Sequence, residues 1–169
     1  MIQILRSTKI ILATFLFLPA AVVFGRQAGT GPCHSPESKE FDFMVGEWQE
    51  SETGGHLLVK KILKGCAIQE FWSGGEFEAT VVRSYDAGKQ KWFLTFVSNT
   101  LIHQVWEGRK ENGQWRFYRE WTLNGSPIIS RTFWTLLSEG HLDRIVEQSP
   151  DNGKTWKLHV KASYRRRSQ

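Results

Sequence analysis

The chain has 169 residues, with 22 Lys+Arg against 17 Asp+Glu, 40% hydrophobic and 23% charged residues, 15 Gly, 8 Trp and 2 Cys. That is one domain's worth of chain, and the balance excludes collagen-like, low-complexity and intrinsically disordered classes. Two cysteines exclude a disulfide-dense mini-protein, and acids and bases mixed along almost every segment exclude the basic stripe of a nucleic-acid binder.

Residues 1–25 carry Arg6 and Lys9, no acid, and an apolar run over 10–24. This is the layout of a secretory signal, with Val23 and Gly25 at the small-residue positions of a cut after Gly25. As a helix the run spans roughly 22 Å, short of a ~30 Å hydrocarbon core, and Pro19 interrupts it. An uncleaved membrane anchor is the alternative. Nothing later in the chain is long and apolar enough to span a bilayer, so a secreted or periplasmic protein is expected.

Residues 26–40, with Pro32 and Pro36, read as an irregular lead-in, and 41–169 as the domain. Cys33 and Cys66 form an even number in an oxidising compartment, without C-x-x-C or zinc spacing, and read as one disulfide. It would close a loop of about 33 residues, worth on the order of 3–4 kcal/mol in the chain-entropy account. Two unpaired buried thiols are the alternative.

From Gly54 onward, β-rich runs alternate with turn signals: Gly54-Gly55, Gly74-Gly75, Ala87-Gly88, Asn99-Thr100, Asn112-Gly113, Asn124-Gly125, Glu139-Gly140 and Asn152-Gly153. Asn-Gly and Gly-Gly pairs supply the positive φ angles of hairpins. The spacing predicts about ten strands in up-and-down order, at 46–52, 56–63, 66–72, 76–85, 90–98, 101–108, 114–122, 127–136, 141–149 and 154–166. No segment beyond residue 25 shows a sustained helical period. A sheet of this size hides its edges most simply by closing, so the fold class is an all-β antiparallel up-and-down barrel of about ten strands.

Treating each turn from Asn112-Gly113 onward as a two-residue hairpin predicts cross-strand partners. Trp106 falls opposite Arg119, Arg119 opposite Ser130, Trp134 opposite Ile145, Thr132 opposite Glu147, and Glu147 opposite Leu158. One face then carries Gln104, Trp106, Trp115, Phe117, Arg119, Trp121, Ile128, Ser130, Thr132, Trp134, Ile145, Glu147, Trp156, Leu158, Val160, Ala162, Tyr164 and Arg166. The other carries His103, Glu107, Arg116, Tyr118, Glu120, Arg131, Arg144, Lys157, His159 and Lys161. Alternation makes the first face the interior and the second the solvent side. Strand 90–98 is apolar on both faces, so register upstream of it is weakly specified, and it turns Gln69 inward.

The segment Phe41-Asp42-Phe43-Met44-Val45-Gly46-Glu47-Trp48 opens the first strand, and its Gly-x-Trp resembles the lipocalin and calycin pattern. That resemblance implies a barrel of the calycin or lipocalin type, with a structural Trp48 closing its base and Arg166 from the last strand over the indole. More widely, Gly65-Cys66, Glu70, Trp72, Arg131, Trp134, Glu147, Ser149, Asp151, Gly153, Thr155-Trp156, Tyr164 and Arg166 together resemble a family of secreted bacterial calycin-like proteins without an assigned activity. Met44 stands where that family has Trp, and Arg144 where it usually has Gln. Glu70 belongs to the shared motif. The stretch Ser149–Trp156 also matches the Asp-box of sialidase propellers, a structural hairpin in which Asp151 caps backbone amides; a single full copy cannot build a propeller.

The Trp-rich interior predicts a cavity for a small apolar or amphipathic molecule, with Gln104, Trp106, Arg119, Trp121, Thr132, Trp134 and Glu147 as ligand-binding residues. Arg119 and Glu147 orient the ligand in this reading. In a second reading they are catalytic: an isomerase or hydrolase with Glu147 as general base and Arg119 stabilising developing negative charge. A third is a filled structural or interaction barrel. No metal-ligand spacing, nucleophile elbow or cofactor motif is present, and Asn124-Gly125-Ser126 reads as a turn rather than a glycosylation site.

Overall fold

The computed structural model describes Cys33 and residues 35–167. The signal assigned to 1–25 and most of the lead-in assigned to 26–40 lie outside the described residues. Ten strands follow one another: β1 (Gly46–Glu50), β2 (His56–Ile62), β3 (Ala67–Gly74), β4 (Phe77–Asp86), β5 (Lys91–Ser98), β6 (His103–Glu111), β7 (Gln114–Leu123), β8 (Ser126–Ser138), β9 (His141–Ser149) and β10 (Lys157–Arg166). Each pairs antiparallel with its neighbours in sequence, and β1 pairs with β10, so the sheet is a closed all-β barrel of the calycin type. Closure leaves no unpaired edge. The hairpin tips carry the positive φ angles that their sequences promise, with Asn112 at +49° and Gly113 at +79°, and Asn124 at +49° and Gly125 at +80°. Cys33 and Cys66 form a disulfide that ties the lead-in to the segment before β3.

One end of the barrel is shut. A 3-10 turn over Asp42–Met44 lies across it, and Phe41, Met44 and Trp48 are buried. Trp48 Nε1 donates to the Met44 carbonyl at 2.8 Å, and the Arg166 guanidinium lies 4.2 Å from the centre of the indole. Phe41 packs edge-on against Trp92 at 5.0 Å and against Phe117 at 5.7 Å. Trp115 Nε1 donates to Glu40 just before the turn, and Lys110 pairs with the same carboxylate at 2.6 Å.

The predicted pairing of β7 with β8 is observed, with Arg119 opposite Ser130 and Trp121 opposite Ile128. Between β8 and β9 it is not. Leu136 pairs with Leu142 but Ser138 pairs with His141, so Leu137 is an extra residue in β8. A bulge of this kind shifts register by one and exchanges the faces of the strand beyond it. Thr132 therefore meets Val146, Trp134 meets Arg144, and Glu147 meets Arg131. The interior placement of Ile145 and Glu147 is thereby corrected to the outer face, and the outer placement of Arg144 to the interior.

A second bulge lies between Leu158 and Val160 in β10. Before it, Leu158 pairs with Glu147 and is 62% exposed; beyond it, Ala162 pairs with Arg144 and Tyr164 with Leu142, both buried. The two one-residue shifts cancel, so the inward assignment of Ala162 and Tyr164 holds while that of Leu158 and Trp156 does not. Trp156 sits on the outer wall instead, under the Arg131 guanidinium at 3.9 Å and edge-on to Tyr118. Upstream, Glu70 pairs with Val81 and is buried, whereas Gln69 bonds Thr80; Glu70 rather than Gln69 points inward.

Candidate functional site

Above the closed base the lumen holds a cavity of about 250 Å³. Its wall is built strand by strand from inward positions: Glu70 and Trp72 of β3, Phe77 and Val81 of β4, Leu94 and Phe96 of β5, Gln104 and Trp106 of β6, Thr132 and Trp134 of β8, and Arg144 of β9, with Ile102 from the β5–β6 connection. Period-2 alternation on successive strands delivers these side chains to one surface. A second hollow of about 460 Å³ lies towards the end opposite Trp48, between the β1–β2 and β3–β4 turns and the inner side of β10. The two share Trp72, Phe77 and Arg144.

The floor of the cavity is an ion pair. Arg83 is fully buried, and its Nε and Nη2 both donate to Glu70 Oε1, Nε at 3.1 Å. Its guanidinium lies against the rings of Phe41 at 4.4 Å and Phe117 at 4.7 Å, which joins the charged floor to the aromatic base plug. Two buried charges of opposite sign in contact offset much of their desolvation cost.

Above that pair, Trp72, Trp134 and Tyr164 form a three-way aromatic cluster with ring centres 5.6–5.7 Å apart. The Arg144 guanidinium lies over Trp72 at 5.0 Å and Trp134 at 6.0 Å. Burial pushes the Arg144 pKa down, and burial likewise pushes the Tyr164 hydroxyl up. Gln104 Oε1 accepts from Trp106 Nε1 at 3.1 Å, which fixes the amide with its nitrogen as the remaining donor. Thr132 Oγ1 donates to the Ile145 carbonyl at 3.0 Å, bracing β8 against β9.

Of the residues singled out in the sequence, Gln104, Trp106, Thr132 and Trp134 thus share the cavity wall. Arg119 and Trp121 face inward but are outside that wall. Arg119 is held between Trp106 and Trp121 at 5.2 and 5.1 Å, burial lowers its pKa, and Trp121 Nε1 donates to Ser130 Oγ at 2.9 Å. Glu147 is not in the cavity: it accepts from Arg131 Nε at 2.6 Å and lies 3.9 Å from Arg116, on the outer wall. A general base there cannot reach a ligand in the lumen, and the catalytic pairing of Glu147 with Arg119 has no geometric basis.

Sequence reasoning missed Arg83, Arg144 and the upper aromatic wall of Trp72, Phe77 and Phe96. Arg144 was hidden by the Leu137 bulge. The alternation Ala79, Val81, Arg83 on β4 carried a usable signal for Arg83. Among the described residues, no group of three or more His, Cys, Asp or Glu side chains converges on a potential metal position. Asp151, by contrast, sits in the β9–β10 turn, where Ser149 Oγ, Thr155 N–H and Thr155 Oγ1 donate to it at 2.6–2.9 Å. Comparison of the chain with protein-family models and with curated proteins returns no match.

Proposed function

We propose that the barrel is a carrier or receptor for a small, partly apolar molecule held in its lumen, working in an oxidising compartment outside the cytoplasm. The observation that carries this reading is the 250 Å³ cavity enclosed by Trp72, Trp106, Trp134, Phe77 and Phe96, above a base shut by Trp48 and Phe41. At about 250 Å³ it falls just below the roughly 300–1,000 Å³ of ordinary ligand pockets, and it has their composition of apolar wall with a few polar groups. The bonded Cys33 and Cys66 and the charge layout of residues 1–25 support the compartment. Among the described residues no helix is long and apolar enough to cross a membrane.

Intrinsic tryptophan fluorescence tests the reading, because three of the eight Trp line the cavity. Titration with a set of small amphipathic compounds should produce a saturable change for at least one class. A flat response across the set, with no small molecule retained in native mass spectra of the purified protein, would assign the barrel a purely structural or interaction role.

A further inference from the structure

We infer that the molecule held in the lumen is an amphipathic monoanion, a carboxylate, whose charged end is seated on Arg144 with its apolar part in the cavity below. The inference rests on the carrier reading above and adds the chemistry of its ligand.

The charge inventory of the lumen leads to it. Glu70 and Arg83 neutralise each other at the floor. Arg144 forms no hydrogen bond or ion pair with any described residue, although it lines the cavity and is half-buried. Its neighbours in the barrel account for this isolation. Trp72 and Tyr164 offer ring faces and edges, Ala162 opposite it on β10 offers a methyl, and Trp134 opposite it on β8 offers a ring. Glu70 is the one acid lining the 250 Å³ cavity, and its Oε1 already accepts from Arg83 Nε and Nη2; Glu50, which lines the neighbouring hollow, accepts from the Thr53 hydroxyl. Asp143, adjacent in β9, points to the outer face, where Ser163 and Lys161 hold it. Burying a cation without a partner is costly, and the stacking of Arg144 on Trp72 and Trp134 offsets only part of that.

Geometry narrows the ligand further. A guanidinium held beside aromatic rings, with no hydrogen-bond partner among the described residues, keeps its N–H groups free, and their planar fork matches the two oxygens of a carboxylate. Arg144 stands where the 250 Å³ cavity and the 460 Å³ hollow meet, so an anionic end there leaves the apolar remainder among Val81, Leu94, Phe96 and Trp106. Arg119, also inward and without a carboxylate partner among the described residues, lies outside the cavity wall, so the cavity itself presents one uncompensated guanidinium, which matches one negative charge. A phosphate dianion would bring a second charge towards Glu70, which lines the same cavity, and is disfavoured.

The test uses decanoate and 1-decanol, which share a chain and differ in charge at one end, titrated at neutral pH against the wild type, Arg144→Gln and Arg119→Gln. In the wild type and in Arg119→Gln, decanoate should bind more tightly than decanol by on the order of tenfold or more, the effect of a charge-assisted hydrogen-bonded pair. In Arg144→Gln the difference should vanish while decanol affinity stays the same. Equal affinities in the wild type would overturn the anion assignment and leave the carrier reading standing. A difference that survives Arg144→Gln, or disappears with Arg119→Gln, would place the anion elsewhere and overturn the assignment to Arg144. Binding of neither probe would remove the carrier reading for such chains and this inference with it. Should Arg144→Gln fail to fold, Arg144→Lys keeps the charge and loses the fork: a reduced preference supports the assignment, and an unchanged one overturns it.

Discussion

Arg131 and Glu147 stand opposite each other on β8 and β9, with the guanidinium Nε donating to the carboxylate at 2.6 Å on the outer wall of the barrel. Arg116 approaches the same carboxylate at 3.9 Å, and Arg131 also covers the Trp156 ring. Glu147 is therefore a strut of the outer wall. Glu147→Gln should lower stability by about 1 kcal/mol, the scale of a partly exposed charge-assisted contact. Urea denaturation measures that, and decanoate affinity in the same variant should equal the wild type. A loss of affinity comparable to that of Arg144→Gln would contradict the outward placement.

The same pair shows how far the sequence could be read. Turn chemistry specifies the register wherever a hairpin contains no bulge, and β7–β8 follows from Asn124-Gly125 alone. The Leu137 bulge has no comparable signature. It can be found in the alternation of β9 itself, where His141, Asp143, Glu147 and Ser149 occupy one face with a single apolar Ile145, and Leu142 and Val146 occupy the other. Local periodicity in β9 favours Arg144 inward, against the turn-based register that puts it outside, and in a sheet that must bury one face the periodicity prevails. The signals for Arg83 and Arg144 are weak for a further reason: an arginine in an apolar alternation looks like an error until the partner that neutralises it, or the cavity that solvates it, is visible.

Glu70 and Arg83 are buried together at the cavity floor, and neither can be removed without stranding the other. Arg83→Met and Glu70→Leu should each cost about 3–5 kcal/mol, whereas the double variant should recover most of that loss because the stranded charge is gone. Denaturation of the four proteins gives the coupling energy directly. Additive losses in the double variant would mean that the two side chains do not act as a pair.

At the base, Gly46 has φ +139° and lies directly beneath the Arg166 guanidinium, whose Nη1 donates to the Val45 carbonyl at 3.0 Å. A Cβ at Gly46 would collide with that guanidinium and would also sit in a backbone conformation that side chains disfavour. Arg166→Ala should cost about 0.5–2 kcal/mol through the lost stacking on Trp48. Gly46→Ala should cost more, and in the Arg166→Ala background it should still cost about 1–3 kcal/mol, the part due to the backbone alone. Thermal denaturation of the series separates the two contributions. If Gly46→Ala became neutral once Arg166 was truncated, steric contact rather than backbone conformation would be the whole effect.

The Asp151 turn gives the fold a defined acid response. Hydrogen bonds from the Thr155 hydroxyl, the Thr155 N–H and the Ser149 hydroxyl hold the Asp151 carboxyl at about 2, down from an ordinary 3.8. A carboxyl lowered by folding contributes its stabilisation fully above the unfolded value and loses it as pH falls through the folded one. The contribution of Asp151 is therefore complete above 3.8 and disappears as pH falls through about 2. A carboxyl-detected NMR titration should show Asp151 with a midpoint near 2, and the stability difference between wild type and Asp151→Asn should shrink over that same interval. A midpoint at 3.8 would mean that Thr155 and Ser149 do not donate to the carboxylate in solution, and the β9–β10 turn would then owe its shape to Asn152 and Gly153, at φ +58° and +83°, instead.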